Sequence, residues 1–277
     1  MTATSQTVQL DPLAIEIGGT PIAIRTESLA FRELLASRYA GFVRACPNPE
    51  LELAIELFEP VEPAQADEDL QVRLQGEEWC IERGDFRARW NPAAACGRVR
   101  QSANPYAIDS VLRIIHTLIL ARQGGFLIHA ASAIRGGRAF LFAGVSGAGK
   151  STISRFAPPD VQLLTDEISY VVRSNDGYKA CGTPFAGELA RVGENRSAPL
   201  STLFLLEKGP ENRIGPVGES EALRSLMRNI LFFAEDAGLV SQVFESACKF
   251  VNQVPARKLI FVPDERVWDI IGQQARE

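Results

Sequence analysis

Two short stretches carry residues that could do chemistry together. GVSGAGKST runs from Gly144 to Thr152, and LLTDEISYVV runs from Leu163 to Val172. The first fits the pattern G-x-x-x-x-G-K-[ST]. In such a loop Gly144, Val145, Ser146, Gly147, Ala148 and Gly149 turn backbone N–H groups toward phosphate oxygens. The start of the following helix, through Thr152, adds a positive dipole end. Lys150 would neutralise the β- and γ-phosphates of a nucleotide, and Ser151 would offer a hydroxyl to Mg²⁺.

The second stretch adds two carboxylates, Asp166 and Glu167. Fourteen residues separate Ser151 from Asp166. Pro158 and Pro159 should stop the helix that begins near Lys150, because proline removes a hydrogen bond and clashes with the preceding turn. About two helical turns fit in that gap. A motor or switch NTPase usually places a longer helix here and its Mg²⁺-associated acid later. The compact spacing therefore favours a site in which the nucleotide donates its phosphate.

Several elements must position these residues. FLIHAASAI (Phe126 to Ile134) and AFLFAG (Ala139 to Gly144) flank a Gly136-Gly137 turn and read as a β-hairpin that feeds the loop. NPYAIDSVLRIIHTLILARQGG reads as a helix with Asn104 as N-cap, Pro105 at its first position and Gly124-Gly125 as its stop. His116 lies beside that helix's apolar face and reads as a packed histidine. Strands are expected at 161–164, 168–172, 202–208 and 258–262, with helices over about 219–254 and from about Glu265.

Residues 1–100 are β-rich, and 101–277 carry the chemistry. Leu51, Leu53, Ile55 and Leu57 alternate on one face, as do Leu70, Val72 and Leu74, and Phe86, Ala88 and Trp90. Gly76 and Gly84-Asp85 fall at hairpin turns, and residues 27–43 read as a helix followed by an extended piece. A β-meander that scaffolds the rest or recognises substrate is the expectation.

The bulk numbers narrow the classes. The chain has 277 residues and a net charge of −5, which argues against a general nucleic-acid binder. Five scattered cysteines and two histidines argue against structural zinc, and the thiols are expected reduced and mostly buried. No signal-like N-terminus or membrane-length apolar run occurs, so a cytoplasmic protein is expected.

The hairpin histidine His129, the loop GVSGAGKS, the short helix and the acidic pair in LLTDE resemble the HPr kinase/phosphorylase superfamily, whose core is related to ATP-dependent phosphoenolpyruvate carboxykinase. The resemblance is strong over residues 105–175 and continues through GTPFAGE and APLSTLFLLEKG. It implies an α/β fold with a mixed sheet and a P-loop, preceded by a β-rich N-terminal region. It implies ATP and Mg²⁺, with Asp166 as base, Glu167 and Ser151 at the metal, and His129 and Lys150 beside the phosphates. Glu188 and Arg196 are candidate substrate residues. Arg191, Lys208 and Arg228 are further candidates for neutralising transition-state charge, and a neighbouring subunit of a homo-oligomer is another source. The acidic pair is Asp-Glu where the family has Asp-Asp, and the E-x-R-G-L-G signature of the enzymes acting on HPr is missing.

The resemblance implies a kinase acting on a hydroxyl, foremost a serine of a peptide or protein such as a lasso precursor peptide. The alternatives are a small-molecule hydroxyl kinase and a nucleotide-binding regulator without phosphoryl transfer.

Overall fold

Period-two alternation builds the first unit, and its pairing differs from a meander. The structure is a computed structural model that describes residues 10–59, 69–185 and 193–274. The chain divides into two compact units, Met1–Leu112 and Arg113–Glu277. The first contains β1 (Leu13–Ile17), β2 (Thr20–Thr26), α1 (Leu29–Arg38), β3 (Leu51–Leu57), β4 (Gln71–Gln75), β5 (Glu78–Arg83), β6 (Phe86–Asn91) and β7 (Cys96–Gln101). Their sheet order is β1-β2-β3-β7-β6-β5-β4. The pairs β2–β3 and β3–β7 are parallel, so only β4 to β7 form a meander. A parallel pair needs a crossover, and α1, lying against β1 and β2, supplies it between β2 and β3.

One face of this sheet is apolar. Leu51, Leu53, Val72, Trp79, Ile81, Phe86, Ala88, Trp90 and Val99 are buried. Leu74 departs from the expected alternation and is exposed; it lies on β4, the last strand of the sheet. Within 27–43 the expected helix is α1, and a 3-10 turn at Ala40–Phe42 stands where an extended piece was expected. Ser28 caps α1 by accepting from the Phe31 N–H at 3.2 Å.

The long helix α2 (Pro105–Gln123) starts and stops where its sequence signals fall. Asn104 Oδ1 accepts the Tyr106 N–H at 3.0 Å, and Gly124 adopts φ 76° past the last turn. The division between units falls within this helix. In the first unit, buried Asp109 accepts from Arg38 Nε at 3.0 Å and from the Tyr39 hydroxyl at 2.5 Å. Arg38 also lies over the Tyr106 ring, 4.6 Å from its centroid.

The second unit holds β8 (Phe126–Arg135), β9 (Arg138–Ala143), α3 (Lys150–Arg155), β10 (Gln162–Thr165), β11 (Ile168–Ser174), β12 (Gly177–Cys181), β13 (Ser197–Lys208), β14 (Arg213–Pro216), α4 (Glu219–Asn229), β15 (Ile230–Leu231), α5 (Ala237–Gln253), β16 (Ala256–Phe261) and α6 (Val267–Gln274). The strands β12, β14 and β15 were not expected from the sequence. Pairings run in a closed circuit, β8–β9–β13–β12–β11–β8. Ile134, Ala139, Leu164, Ala180 and Ala198, contributed by strands of this mixed sheet, form one apolar cluster. A second cluster joins α3 and α6 to the strands through Ile153, Phe142, Phe204, Phe261 and Trp268. A third joins α4 and α5 through Leu226, Ala247 and Phe250.

All five cysteines are free. Only Cys80 and Cys181 are buried; Cys46 and Cys248 are half-buried and Cys96 is exposed, which corrects the expectation of mostly buried thiols. Among the described residues no helix is long and apolar enough to cross a membrane.

Two predictions follow from buried polar groups. Asp109→Ala leaves Arg38 and Tyr39 without their acceptor, and the unfolding free energy should fall by about 3 kcal/mol, read from urea midpoints; a change within about 0.5 kcal/mol would contradict the role given to Asp109. In the second unit, His116 is fully buried with Nδ1 3.1 Å from the Tyr170 hydroxyl, and burial lowers its pKa from 6.5 to about 4. The folded state therefore binds fewer protons than the unfolded state between those values. The stability from neutral His116 is complete above the unfolded pKa and drains away as pH falls toward 4. Between about pH 7 and about pH 5 the wild type should lose about 2 kcal/mol more than His116→Gln. Equal losses would show that His116 does not titrate in this way.

Candidate active site

The register of β8 brings the expected site residues to one level. Residues Ala130 to Arg135 pair with β9, and Ala130 faces Ala143, the last residue before the glycine-rich loop. On β8's other neighbours, β10 pairs with Ser132, Ala133 and Ile134, and β11 pairs with Phe126 to His129. Asp166 and Glu167 form the connection between β10 and β11, so they leave the ladder beside Ala130 and Ala131. His129 sits at the same level, opposite Ile168. Neighbouring strands lie about 4.8 Å apart, so the loop's start and the acidic pair flank β8 roughly 10 Å from each other.

Local chemistry fixes each part. Thr165 Oγ1 accepts the N–H groups of Glu167 and Ile168 at 3.2 and 3.3 Å, which holds the acidic turn. Asp166 is buried, while Glu167 is half-buried. Asp166 also lines a hollow of about 310 Å³ with Ser154, Pro158, Leu163, Thr165 and Glu194.

The loop from Gly144 to Gly149 is wrapped tightly. The Ala148 N–H bonds the Val145 carbonyl at 3.0 Å. Gly149 has φ 113°, and a Cβ there would stand 2.5 Å from the Phe261 ring, so no other residue fits without displacing it. Among the described residues the N–H groups of Ser146, Gly147 and Gly149 donate to no acceptor. Lys150 is buried and donates from Nζ to the Gly144 carbonyl at 2.9 Å. Ser151 and Thr152 follow in the first turn of α3, which is six residues long, as Pro158 and Pro159 led one to expect. Trp268 Nε1 donates to the Ile153 carbonyl at 3.1 Å and pins α3 to α6.

His129 is half-buried, and its pKa is lowered first by burial and then by the charge of Lys150. The ring is therefore neutral near pH 7, and the Lys150 ammonium is close enough to be felt.

Arg196 is exposed, 3.4 Å from Glu194 and 3.4 Å from Gln162. Its neighbour Glu194 lines the same hollow as Asp166. Arg228 lies on α4, whose Leu226 belongs to the cluster away from α3. Lys208 ends β13 and is exposed. Glu188 and Arg191 lie outside the described residues.

One cation was missed from the sequence. Arg113, on α2, stacks over the ring of buried Phe185 at 4.9 Å, and its Nε is buried with no hydrogen-bond partner among the described residues. Two residues before Phe185, the Thr183 hydroxyl donates to the Ile168 carbonyl at 2.7 Å, and Ile168 follows the acidic pair and faces His129. A charge on an amphipathic helix reads as a solvated edge, which is why spacing alone gave no signal for it.

Comparison with known proteins adds a family. No curated protein matches the sequence. The Hpr(Ser) kinase/phosphatase from Coxiella burnetii is one similar solved structure, with 12% identity over 54% of this chain and 88% of that one, at a TM-score of 0.30. A likeness at that level fixes neither fold nor function. The family model described as SynChlorMet cassette protein ScmC matches residues 99–275. That span covers both the glycine-rich loop and the acidic pair, and the chain belongs to the SynChlorMet cassette protein ScmC family.

Proposed function

We propose that the second unit is an ATP-dependent, Mg²⁺-requiring kinase that phosphorylates a hydroxyl, foremost a serine of a peptide or protein. One observation carries this reading: the ladder of β8 brings the glycine-rich loop, His129 and the Asp166-Glu167 turn to one level. Phosphoryl transfer needs positioned charge more than covalent chemistry, and this is such an arrangement.

The chain's own residues fit the phosphates of a nucleotide. Among the described residues the N–H groups of Ser146, Gly147 and Gly149 donate to no acceptor, which leaves them available to an anionic occupant, and Lys150 supplies a cation beside the loop. Ser151 and Glu167 would hold Mg²⁺. Among the described residues no cluster of three or more His, Cys, Asp or Glu could hold a metal ion, which suits a Mg²⁺ that takes most of its ligands from phosphates and water. When bound, Mg²⁺ neutralises charge on the phosphate oxygens.

Asp166 takes the proton of the acceptor hydroxyl. The acceptor oxygen then bonds to the γ-phosphorus, the bond from that phosphorus to the β–γ bridging oxygen breaks, and ADP leaves. His129, neutral beside Lys150, can contact a phosphate oxygen through an N–H. Arg113 is our candidate for the cation that meets the charge developing on the transferred group, because its buried Nε has no acceptor among the described residues.

Three variants test the reading. Asp166→Asn should keep nucleotide affinity and cut transfer by about 10²–10⁴-fold. Lys150→Ala should weaken nucleotide binding itself. Arg113→Gln should lower kcat by about 10²-fold with KM for ATP little changed. Turnover of labelled ATP with serine peptides reads the rates, and calorimetric titration with ATP reads the affinities. Unaltered turnover in Asp166→Asn, or unaltered nucleotide affinity in Lys150→Ala, would sink the proposal.

A further inference from the structure

The open face of the first unit's sheet carries a line of arginines that its own fold does not require. Register places Arg25, Ala54, Arg98, Arg89, Cys80 and Arg73 side by side across β2, β3, β7, β6, β5 and β4. In the adjacent line, Arg100 and Arg87 are also direct partners. Arg98 faces Arg89 and Arg100 faces Arg87 on antiparallel strands, and like charges in that relation destabilise a sheet. Arg89 is 3.8 Å from Glu78, Arg100 is 3.3 Å from Glu56 and Arg25 is 3.6 Å from Glu52, all between exposed side chains. Such exposed pairs contribute little. The side chains of Arg87 and Arg98 make no hydrogen bond or ion pair among the described residues.

The line is also a shallow lane. Ala54 and Cys80 are its small members, and at its Arg25 end a hollow of about 960 Å³ is lined by Arg25, Arg98 and Arg100 together with Glu27, Glu56 and, from the apolar face, Ile55 and Val99. The chain as a whole is acidic, at −5, so this face stands out from the average charge by sign.

We infer that this face docks an acidic segment of a peptide or protein, and, on the kinase reading above, that this segment belongs to the phosphoryl acceptor. Charge complementarity names the occupant. Bidentate guanidinium–carboxylate pairing suits arginine better than lysine, and the cationic members of the lane are all arginine. A nucleic acid fits less well. Glu56 and Glu82 border the lane on one side and Glu52 and Glu78 on the other, so the negative groups of any occupant are confined to the arginine line itself. The unit's Trp79, Trp90 and Phe86 are buried and offer no surface for stacking bases.

The test uses the full chain and fluorescence anisotropy. The probes are a fluorescein-labelled Glu-Ser repeat peptide, a Lys-Ser repeat and a single-stranded RNA of similar length. The acidic peptide should bind best, lose affinity as salt rises, and bind about tenfold or more weakly to Arg89→Glu/Arg98→Glu. Arg89→Gln/Arg98→Gln should fall between, and thermal melts of both variants should match the wild type. Lys150→Ala should bind the peptide normally. Docking without any phosphoryl transfer would count against the kinase reading and leave the docking face standing. No binding of the acidic peptide, equal binding by the glutamate variant, or preference for RNA would overturn the inference.

Discussion

The second unit depends on a single strand whose ladder is interrupted at one level. β8 is ten residues long, and its pairing with β9 begins at Ala130. Its pairing with β11 ends at His129, and that with β10 resumes at Ser132. Chain that leaves a ladder must find other partners for its backbone groups. Here the freed segments are the glycine-rich loop and the acidic turn. One meets its needs partly through Val145 and Ala148, the other through the Thr165 hydroxyl. The site is thus a gap in a sheet, and sheet register sets its dimensions.

Packing then holds the gap open. Phe261 stands where a side chain on Gly149 would go, and Trp268 reaches from α6 to the backbone of α3. The Trp268 ring also meets Phe142 edge-on at 5.6 Å. Aromatic contacts of this kind have narrow geometry, so the last turn of the loop and the first turn of α3 inherit a fixed position from the core. A six-residue helix has little stability of its own, and α3 persists because Ile153 and the Trp268 hydrogen bond anchor it.

Much of this was legible in local sequence. Gly136-Gly137 marked the hairpin, Pro158-Pro159 limited α3, and Asn104, Pro105 and Gly124 bounded α2. Alternation in β3 and β6 gave the buried face. Neighbours were not legible, because alternation says which face a residue takes and not which strand lies beside it. The parallel pairs β2–β3 and β3–β7 and the closed circuit through β12 and β13 join segments far apart in sequence. The arginine lane appears only once those pairings are known, since its members come from six separate strands. Arg113 stayed hidden for a different reason: it stands out only through the ring of Phe185 and through an Nε that has no acceptor among the described residues.

The two histidines provide a direct measurement of the central claim, that the gap beside β8 receives nucleotide phosphates. His129 lies at that gap and is held below its ordinary pKa by burial and by Lys150, while His116 is buried against Tyr170. NMR titration of both rings, with and without Mg²⁺ and a non-hydrolysable ATP analogue, separates site from core. The account predicts that the analogue added without Mg²⁺ raises the His129 pKa, because an added anion favours the imidazolium, and leaves His116 unmoved. A bound analogue that leaves His129 unchanged would contradict it.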